Sequence, residues 1–331
     1  MMNAAVVTSF KEPPHYQPFE APVPSPGDVL ADVLADVLAD VLADVLAAGL
    51  HPRVRSGAAG RHYASSGTLP MIPGIDGVGR LPDGRLVYFA ADDDVMGTMA
   101  DKALVDPGRS VELPAGADVA KVAAAMNPAM SSWVALRRRV PLKPGQAVLV
   151  LGATGNAGAM AVQVAKRLGA GRVVGAGRDQ GRLRSLIPAG ADDVVQLTDD
   201  ADATAEALAA AGAETDIVLD YLWGTPAQQA IMALLTARSD RSRPLDWIQI
   251  GAVAGPTIEL PSVALRSANF RLQGSGQGSV SPRAYLAELP SLVEEITART
   301  IAVHASPVPL ADVERAWARR EAPGQRTVLM P

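Results

Sequence analysis

The sequence contains no cysteine, which removes disulfides, thiolate nucleophiles and every cysteine-built zinc site at once. Its histidines are His15, His51, His62 and His304, and no H-x-x-H or H-E-x-x-H spacing occurs among them, so a histidine-built metal site is not expected either. The chemistry of this chain is therefore expected to run without a metal. No apolar run reaches the roughly 18 residues of a membrane span. The opening MMNAAVVTSF lacks a basic stretch followed by a long apolar run, so it does not read as a secretory signal and a cytoplasmic protein is expected. The net charge is −5 and no basic block exists, which points away from nucleic acid.

The chain is 331 residues long, enough for two domains. Its most conspicuous feature is the unit Asp-Val-Leu-Ala, repeated five times without variation from Asp28 to Ala47. Solenoid repeats run at roughly 20 to 50 residues and recur along a chain, whereas this block occurs once. As a single strand it would be roughly 70 Å long at about 3.3 Å per residue, far beyond ordinary strands. As a helix it would span roughly 30 Å, but Val and Asp are poor helix formers. A strand would put Val and Ala on one face, and Asp and Leu on the other. Slipping that strand by four leaves the pattern unchanged, so the repeat cannot fix its own pairing. A short strand with a helical or looped-out surplus is the expected compromise.

The C-terminal two-thirds alternates strands with helices. QAVLVLG (146–152) is a short apolar run ending in glycine, followed by NAGAMAVQVAKRLGA (156–170) with helical spacing. The strands RVVGAGR (172–178), DDVVQL (192–197), TDIVLDYL (215–222) and DWIQIGAV (246–253) continue the pattern with helices between them. Such alternation predicts right-handed crossovers and a doubly wound parallel sheet. The first 125 or so residues are rich in Pro and Gly with short strand-like runs such as GRLVYFA (84–90), which predicts a mostly β domain. The tail resembles it, with a helix over 282–298, strands near 301–310 and 325–331, and a helix between them.

Between the first strand and helix of the alternating region, Gly152, Gly155 and Gly158 stand as G-x-x-G-x-x-G. Glycine is needed there because backbone must approach a pyrophosphate closely, while the following helix N-terminus supplies N–H donors and partial positive charge. The loop residues Gly152, Thr154, Gly155, Asn156, Ala157 and Gly158 are expected to cradle a dinucleotide; the alternative is a tight turn with no ligand. NAD binders place an acid after the second strand. Here Gly177 occupies that position or its neighbour, with Arg178 next and Arg182 four later. Arginine suits a 2′-phosphate by charge and by its bidentate fork, which favours NADP(H). The alternative makes both arginines solvated helix-start residues and gives the ribose to Asp179.

These motifs resemble the zinc-independent quinone oxidoreductases of the medium-chain dehydrogenase/reductase superfamily. PVPSPGDVL and VLAAGLHP, on either side of the repeats, resemble the family's P-G-x-V-L-x-x-V-x-A-x-G segment, and removing three of the five copies restores it without a gap. LPMIPGIDGVGRL (69–81) resembles P-G-x-D-x-x-G, with Ile75-Asp76 where zinc alcohol dehydrogenases carry His-Glu. The resemblance implies a Rossmann domain, doubly wound around a parallel sheet and inserted in a mostly β, GroES-like catalytic domain: catalytic over 1–126, Rossmann over 127–268, catalytic again over 269–331. It implies that Asn127 and Ser131 face the nicotinamide end of the coenzyme. Through DYLWG and IGAVAG it implies that Leu222, Gly251 and Ala252 line adenosine and nicotinamide. Through FRLQGSGQGS (270–279) it marks Gly274 at a return into the catalytic domain. A homodimer is also implied.

Without a metal, the expected chemistry is hydride delivery from NADPH to a carbon activated by conjugation, in a quinone or an α,β-unsaturated carbonyl. Catalysis would be orientation plus hydrogen bonds to the developing oxyanion. Tyr63 is the candidate proton donor and His51 could polarise a carbonyl. The bland alternatives are a loop aromatic at the domain edge and a strand-end histidine bonded to backbone. Asp76 reads as structural, Met96, Met99, Met126 and Met130 as packing, and Arg137-Arg138-Arg139 as a solvated helix end. The competing function is a noncatalytic NADPH-binding, redox-sensing protein of the same fold.

Overall fold

A computed structural model describes residues 1–24, 40–91, 95–319, 321 and 324–331. The chain divides into two compact units, Met1–Asn127 with Leu286–Pro331, and Pro128–Tyr285. The first unit opens with the antiparallel pair β1 (Met2–Val6) and β2 (His15–Phe19). Then come β3 (Val41–Gly49), the short helix α1 (Pro52–Ala58), β4 (Asp76–Arg80), β5 (Leu86–Ala90), β6 (Lys102–Val105) and β7 (Ser110–Glu112). Helix α2 (Val119–Val134) runs out of this unit into the next. Met99, Met126 and Met130 are buried, as packing residues should be.

Strand β3 is built from the fourth and fifth Asp-Val-Leu-Ala copies; the first three, Asp28–Ala39, lie outside the described residues, and with them the expected surplus. Ala43, Val45 and Ala47 are buried and Asp44 is exposed, so the Val/Ala face is the one turned inward. The strand pairs antiparallel with β4 and with β6, where Asp44 opposes Lys102 in an ion pair of 2.5 Å. The repeat does not choose this register, but the residues after it do. A Cβ at Gly49 would stand 2.6 Å from the carbonyl oxygen of Ala123. A slip of four residues would bring Val45 to that place, where its side chain does not fit. The expectation that the pairing is left unfixed is thereby corrected.

The second unit contains β8 (Ala147–Leu151), α3 (Asn156–Arg167), β9 (Arg172–Gly177), α4 (Gln180–Leu186), β10 (Asp193–Gln196), α5 (Ala201–Gly212), β11 (Ile217–Asp220), α6 (Gly224–Ala237), β12 (Leu245–Gln249) and β13 (Phe270–Gly274). The strands form one sheet, all pairs parallel, in the order β10-β9-β8-β11-β12-β13. That is the doubly wound order, and it reverses between β8 and β11. A central strand of such a sheet is covered on both faces. Hence the unbroken apolar run of β8, where Val148, Leu149 and Val150 have no exposed surface. Each buried Leu or Val contributes about 1.5–3 kcal/mol over an exposed one. Asp179 caps α4 by accepting from the Arg182 N–H, and Asp200 caps α5 likewise. Helix α3 begins at Gly155 with no side-chain cap.

The sequence places the end of this unit at 268, but Phe270–Gly274 pairs with Leu245–Gln249 as the sixth strand, and the unit runs on to Tyr285. FRLQG is thus the sheet's edge and not yet the return. The helix expected over 282–298 is two helices, α7 (Pro282–Leu286) and α8 (Leu289–Thr297). Pro290, which has no N–H to donate, sits in the first turn of α8, where none is needed. The first unit is completed by β14 (His304–Pro309), α9 (Val313–Ala318) and β15 (Gln325–Met330); β15 pairs antiparallel with β3 through Val328 and Gly49. Each unit has its own apolar core. No helix among the described residues is long and apolar enough to cross a membrane.

Candidate functional site

The loop from β8 to α3 uses its three glycines for different reasons. Gly152 has φ +84°, and a Cβ there would meet Leu222 Cδ2 at 3.0 Å and Tyr221 Cβ at 3.2 Å. At Gly158 a Cβ would stand 2.2 Å from the Gly152 carbonyl oxygen and 2.8 Å from Ala153 Cα, so helix and loop touch backbone to backbone. Gly155 meets no such wall: its nearest neighbour would be Gly152 O at 3.3 Å, its residue is exposed, and it opens α3 in an extended conformation. Packing thus demands Gly152 and Gly158, while Gly155 leaves room for something outside the protein. With no side-chain cap on α3, its first turn at Asn156, Ala157 and Gly158 presents a positive end suited to an anion.

The end of β9 carries no carboxylate. A Cβ at Gly177 would lie 2.6 Å from both Cγ2 and Oγ1 of Thr154, so a side chain there has room only if Thr154 moves aside. The next acid, Asp179, spends Oδ1 on the N–H of Arg182, 2.9 Å away, as the cap of α4. The Arg182 guanidinium reaches back to the loop and donates to Asn156 Oδ1 at 3.2 Å. Burial pulls its pKa below the usual arginine value, and Asp179 opposes that pull. Arg178 is exposed beside it.

The carboxyl ends of β11, β12 and β13 make the neighbouring wall. Asp220, wholly buried, accepts from the N–H groups of Leu222 at 2.8 Å and Trp223 at 3.0 Å, and from Trp247 Nε1 at 3.1 Å. Burial raises its pKa, and those three donors oppose the shift. Trp223 has φ +51° and ψ −162°. A residue with a Cβ rarely adopts such backbone, and it costs about 1–3 kcal/mol. A Cβ at Gly251 would stand 2.7 Å from Tyr221 O, so the β12 loop lies directly on the β11 loop. Ala252 and Gly274 line a cavity of about 340 Å³ together with Trp223, Gln249 and Gln273. Leu222 packs beside Gly152. The Ser131 hydroxyl lies 2.7 Å from the Pro128 carbonyl, to which it donates, and 2.9 Å from the Tyr221 hydroxyl. Burial pushes the Tyr221 phenol up to about 12, so it keeps its proton. Arg139 is not simply solvated: it donates to the carbonyls of Gly274 and Ser279, and Arg137 lies over the Trp133 ring.

In the first unit, His51 and Asp76 are both buried, with His51 Nε2 3.1 Å from Asp76 Oδ1. The Tyr88 hydroxyl donates to the other oxygen, Oδ2, at 2.8 Å, and Thr98 Oγ1 donates to the Asp76 carbonyl. His51 is therefore bonded to a side chain and not to backbone, and its Nδ1 is buried without a partner. Tyr63 is 73% exposed and packs on His62, ring centroids 4.3 Å apart. Asn127 is half-buried on α2. Sequence reasoning missed Trp223, Asp220 and Tyr221. The signal for the first was a tryptophan directly before glycine at a strand-to-helix junction, where a positive φ is usual.

The family model for zinc-binding dehydrogenases matches residues 157–289. A probable NADPH-dependent quinone reductase of Emericella nidulans is 30% identical over 374 residues, covering 100% of both chains. The quinone oxidoreductase of Thermus thermophilus, solved also with NADPH, aligns with a TM-score of 0.79 at 24% identity over 100% of each chain. A thermostable alcohol dehydrogenase of Pyrobaculum aerophilum aligns with 0.77 at 24% identity, over 100% of this chain and 99% of its own. Two differently named activities share one fold, so those structural likenesses speak for the fold alone.

Proposed function

The chain belongs to the quinone oxidoreductase-like branch of the medium-chain dehydrogenase/reductase superfamily, and on that premise we propose that it is an NADPH-dependent, metal-free reductase of quinones or α,β-unsaturated carbonyls. The observation that carries the coenzyme choice is the pair of contacts beside the phosphate loop. Thr154 fills the place of a ribose-binding acid at Gly177, and Arg182 is tied to Asn156. The metal-free reading is supported by the absence of cysteine. Among the described residues, no group of three or more His, Asp or Glu is placed to hold a metal ion.

The residues fit the coenzyme. Gly155 leaves backbone open to a pyrophosphate, the uncapped end of α3 attracts it, and Arg178 and Arg182 supply the charge for a 2′-phosphate. When bound, NADPH supplies the hydride. Tyr221, fixed in its protonated form, holds the Ser131 hydroxyl in place. His51 is proposed to hold and release a proton at Nδ1 for the oxyanion formed on the acceptor, with Asp76 and Tyr88 fixing its ring. It takes that role over Tyr63, whose ring lies largely in water. A homodimer is part of the proposal, supported by the resemblance and by β13 as an open edge of the parallel sheet.

The test is NADPH oxidation with a panel of quinones, enones and simple aldehydes. Turnover with quinones or enones and none with simple aldehydes is expected. His51→Gln should lower kcat about 10²–10⁴-fold, the range for a lost general acid, and flatten its pH profile. Binding of NADPH without turnover on any acceptor would favour the redox-sensing alternative, and turnover that requires added zinc would contradict the metal-free reading.

A further inference from the structure

Trp223 is the one aromatic residue among those lining the cavity at the carboxyl ends of β11, β12 and β13. It is held there against its own backbone preference. Its φ is +51°, a conformation that a glycine would adopt freely, and the following Gly224 is also at positive φ, +60°. The strain is enforced from both sides. Asp220 Oδ1 accepts from the Trp223 N–H at 3.0 Å, and Asp220 is itself fixed by Trp247 Nε1. Across the loop, Ala254 N–H donates to Leu222 O at 2.8 Å, and a Cβ at Gly224 would stand 2.9 Å from the Ala254 carbonyl.

A buried carboxylate, a close loop crossing and a glycine therefore hold a tryptophan where only a glycine would relax the chain. The rest of the cavity wall joins the aliphatic Leu272 and Pro256 to small and amide-bearing residues. Ala252 and Gly274 offer no side chain of any reach, and Gln249 and Gln273 offer amide groups. Gln249 is already oriented, donating from Nε2 to Gly251 O at 2.9 Å. One aromatic face beside amide donors and acceptors suits a flat, uncharged ring that carries a carbonyl oxygen.

We propose that Trp223 is a specificity-determining wall on which a planar, carbonyl-bearing ring stacks. Such a ring could be the carboxamide-bearing ring of the coenzyme or the ring of a quinone acceptor. The inference rests on the coenzyme reading above and deepens it. The indole packs partly on the apolar core of this unit and lines the cavity as well, and it is this second role that the strained backbone serves.

Three substitutions separate the indole from the strain. Trp223→Gly removes both, Trp223→Ala removes the indole and keeps the strain, and Trp223→Phe keeps a ring and the strain. Each is compared with the unaltered chain for thermal stability, for the Kd of NADPH, for the Kd of 2′-phospho-ADP-ribose (which lacks the nicotinamide), and for the KM of a bicyclic naphthoquinone. The Gly variant should melt above the Ala variant. Both should weaken ring binding by the same factor, about tenfold for a lost stacking partner, and Phe should restore most of it. If the ring is the coenzyme's, NADPH affinity falls while 2′-phospho-ADP-ribose affinity holds. If it is the acceptor's, both affinities hold and the naphthoquinone KM rises. Unchanged NADPH affinity together with unchanged KM in the Gly and Ala variants would overturn the inference. Failure of the unaltered chain to bind NADPH or 2′-phospho-ADP-ribose would instead strike the coenzyme reading beneath it.

Discussion

The repeat-built strand β3 and the glycine-rich loop at Gly152–Gly158 carry structural information in opposite ways. In β3 every residue of the repeat has an identical counterpart four positions away, so the pattern of faces survives any slip by one copy. In the loop no two positions are interchangeable: one glycine is required for its positive φ, one for a backbone contact and one for access from outside. Yet both regions are fixed by the same device. A glycine whose Cβ would strike a carbonyl oxygen, Ala123 O for Gly49 and Gly152 O for Gly158, admits one alignment and rejects the rest. A degenerate sequence can be held by a single non-degenerate residue at its end, provided that residue sits at a contact which cannot yield.

The comparison can be broken hardest at Gly158. Gly158→Val forces a side chain into a 2.2 Å contact with backbone. It should cost about 3 kcal/mol or more, as overpacking against atoms that cannot rotate away does. Chemical denaturation should show that loss, and coenzyme binding should vanish with it; a near-neutral variant would mean that α3 and the loop are not in contact. Gly49→Ala is the matching test in β3. With 2.6 Å to Ala123 O the expected loss is about 1–3 kcal/mol, and hydrogen exchange at Asp44–Ala48 should rise as the register loosens.

Asp220, whose held loop packs on Gly152, sharpens the loop side through pH. Burial raises its folded pKa above the ordinary 3.8, so the folded state holds the proton more tightly than the unfolded chain. Its contribution is fully present below that ordinary value and is lost as pH rises through the folded value. The stability of the natural chain relative to Asp220→Asn should therefore fall as pH rises from about 4 towards neutrality, measured by thermal melts across that range. A difference that grows with pH would contradict the placement of this carboxylate. The smallest effect belongs to the repeat itself. Deleting any three copies yields the same sequence and leaves β3 with two copies before Gly49. The deleted chain should melt within a few degrees of the original, a change of no more than about 1 kcal/mol.

Much of this fold was legible because its elements have strong periods. The run AVLVL and the helical spacing after it can be satisfied only by a strand and helix that share a core, and the alternation that follows leaves little choice of topology. The edge strand was misread because FRLQG is only partly buried, with Arg271 and Gly274 exposed, so it looks no different from a strand of the other unit. The glycine-rich turn from β8 to α3 was legible because the glycines that shape it are local in sequence. The contacts of Asp220, Tyr221 and Trp223 were not: they depend on what β12, α2 and the cavity place opposite them, and nothing in DYLWG reports that. His51 was legible as a titratable residue at a strand end, but its partners Asp76 and Tyr88 come from two other strands.

The central claim is that the α3 N-terminus and the arginines beside it form an NADPH site. Calorimetric titration of the purified chain with NADPH and with NADH tests it most directly, with Arg182→Ala as the control. The account predicts that NADPH binds at least about tenfold more tightly, and that Arg182→Ala removes most of that preference while sparing NADH, since a charge-assisted hydrogen bond contributes about 1.5–3 kcal/mol. Heat from neither coenzyme, or equal affinity for both in the unaltered chain, would contradict it.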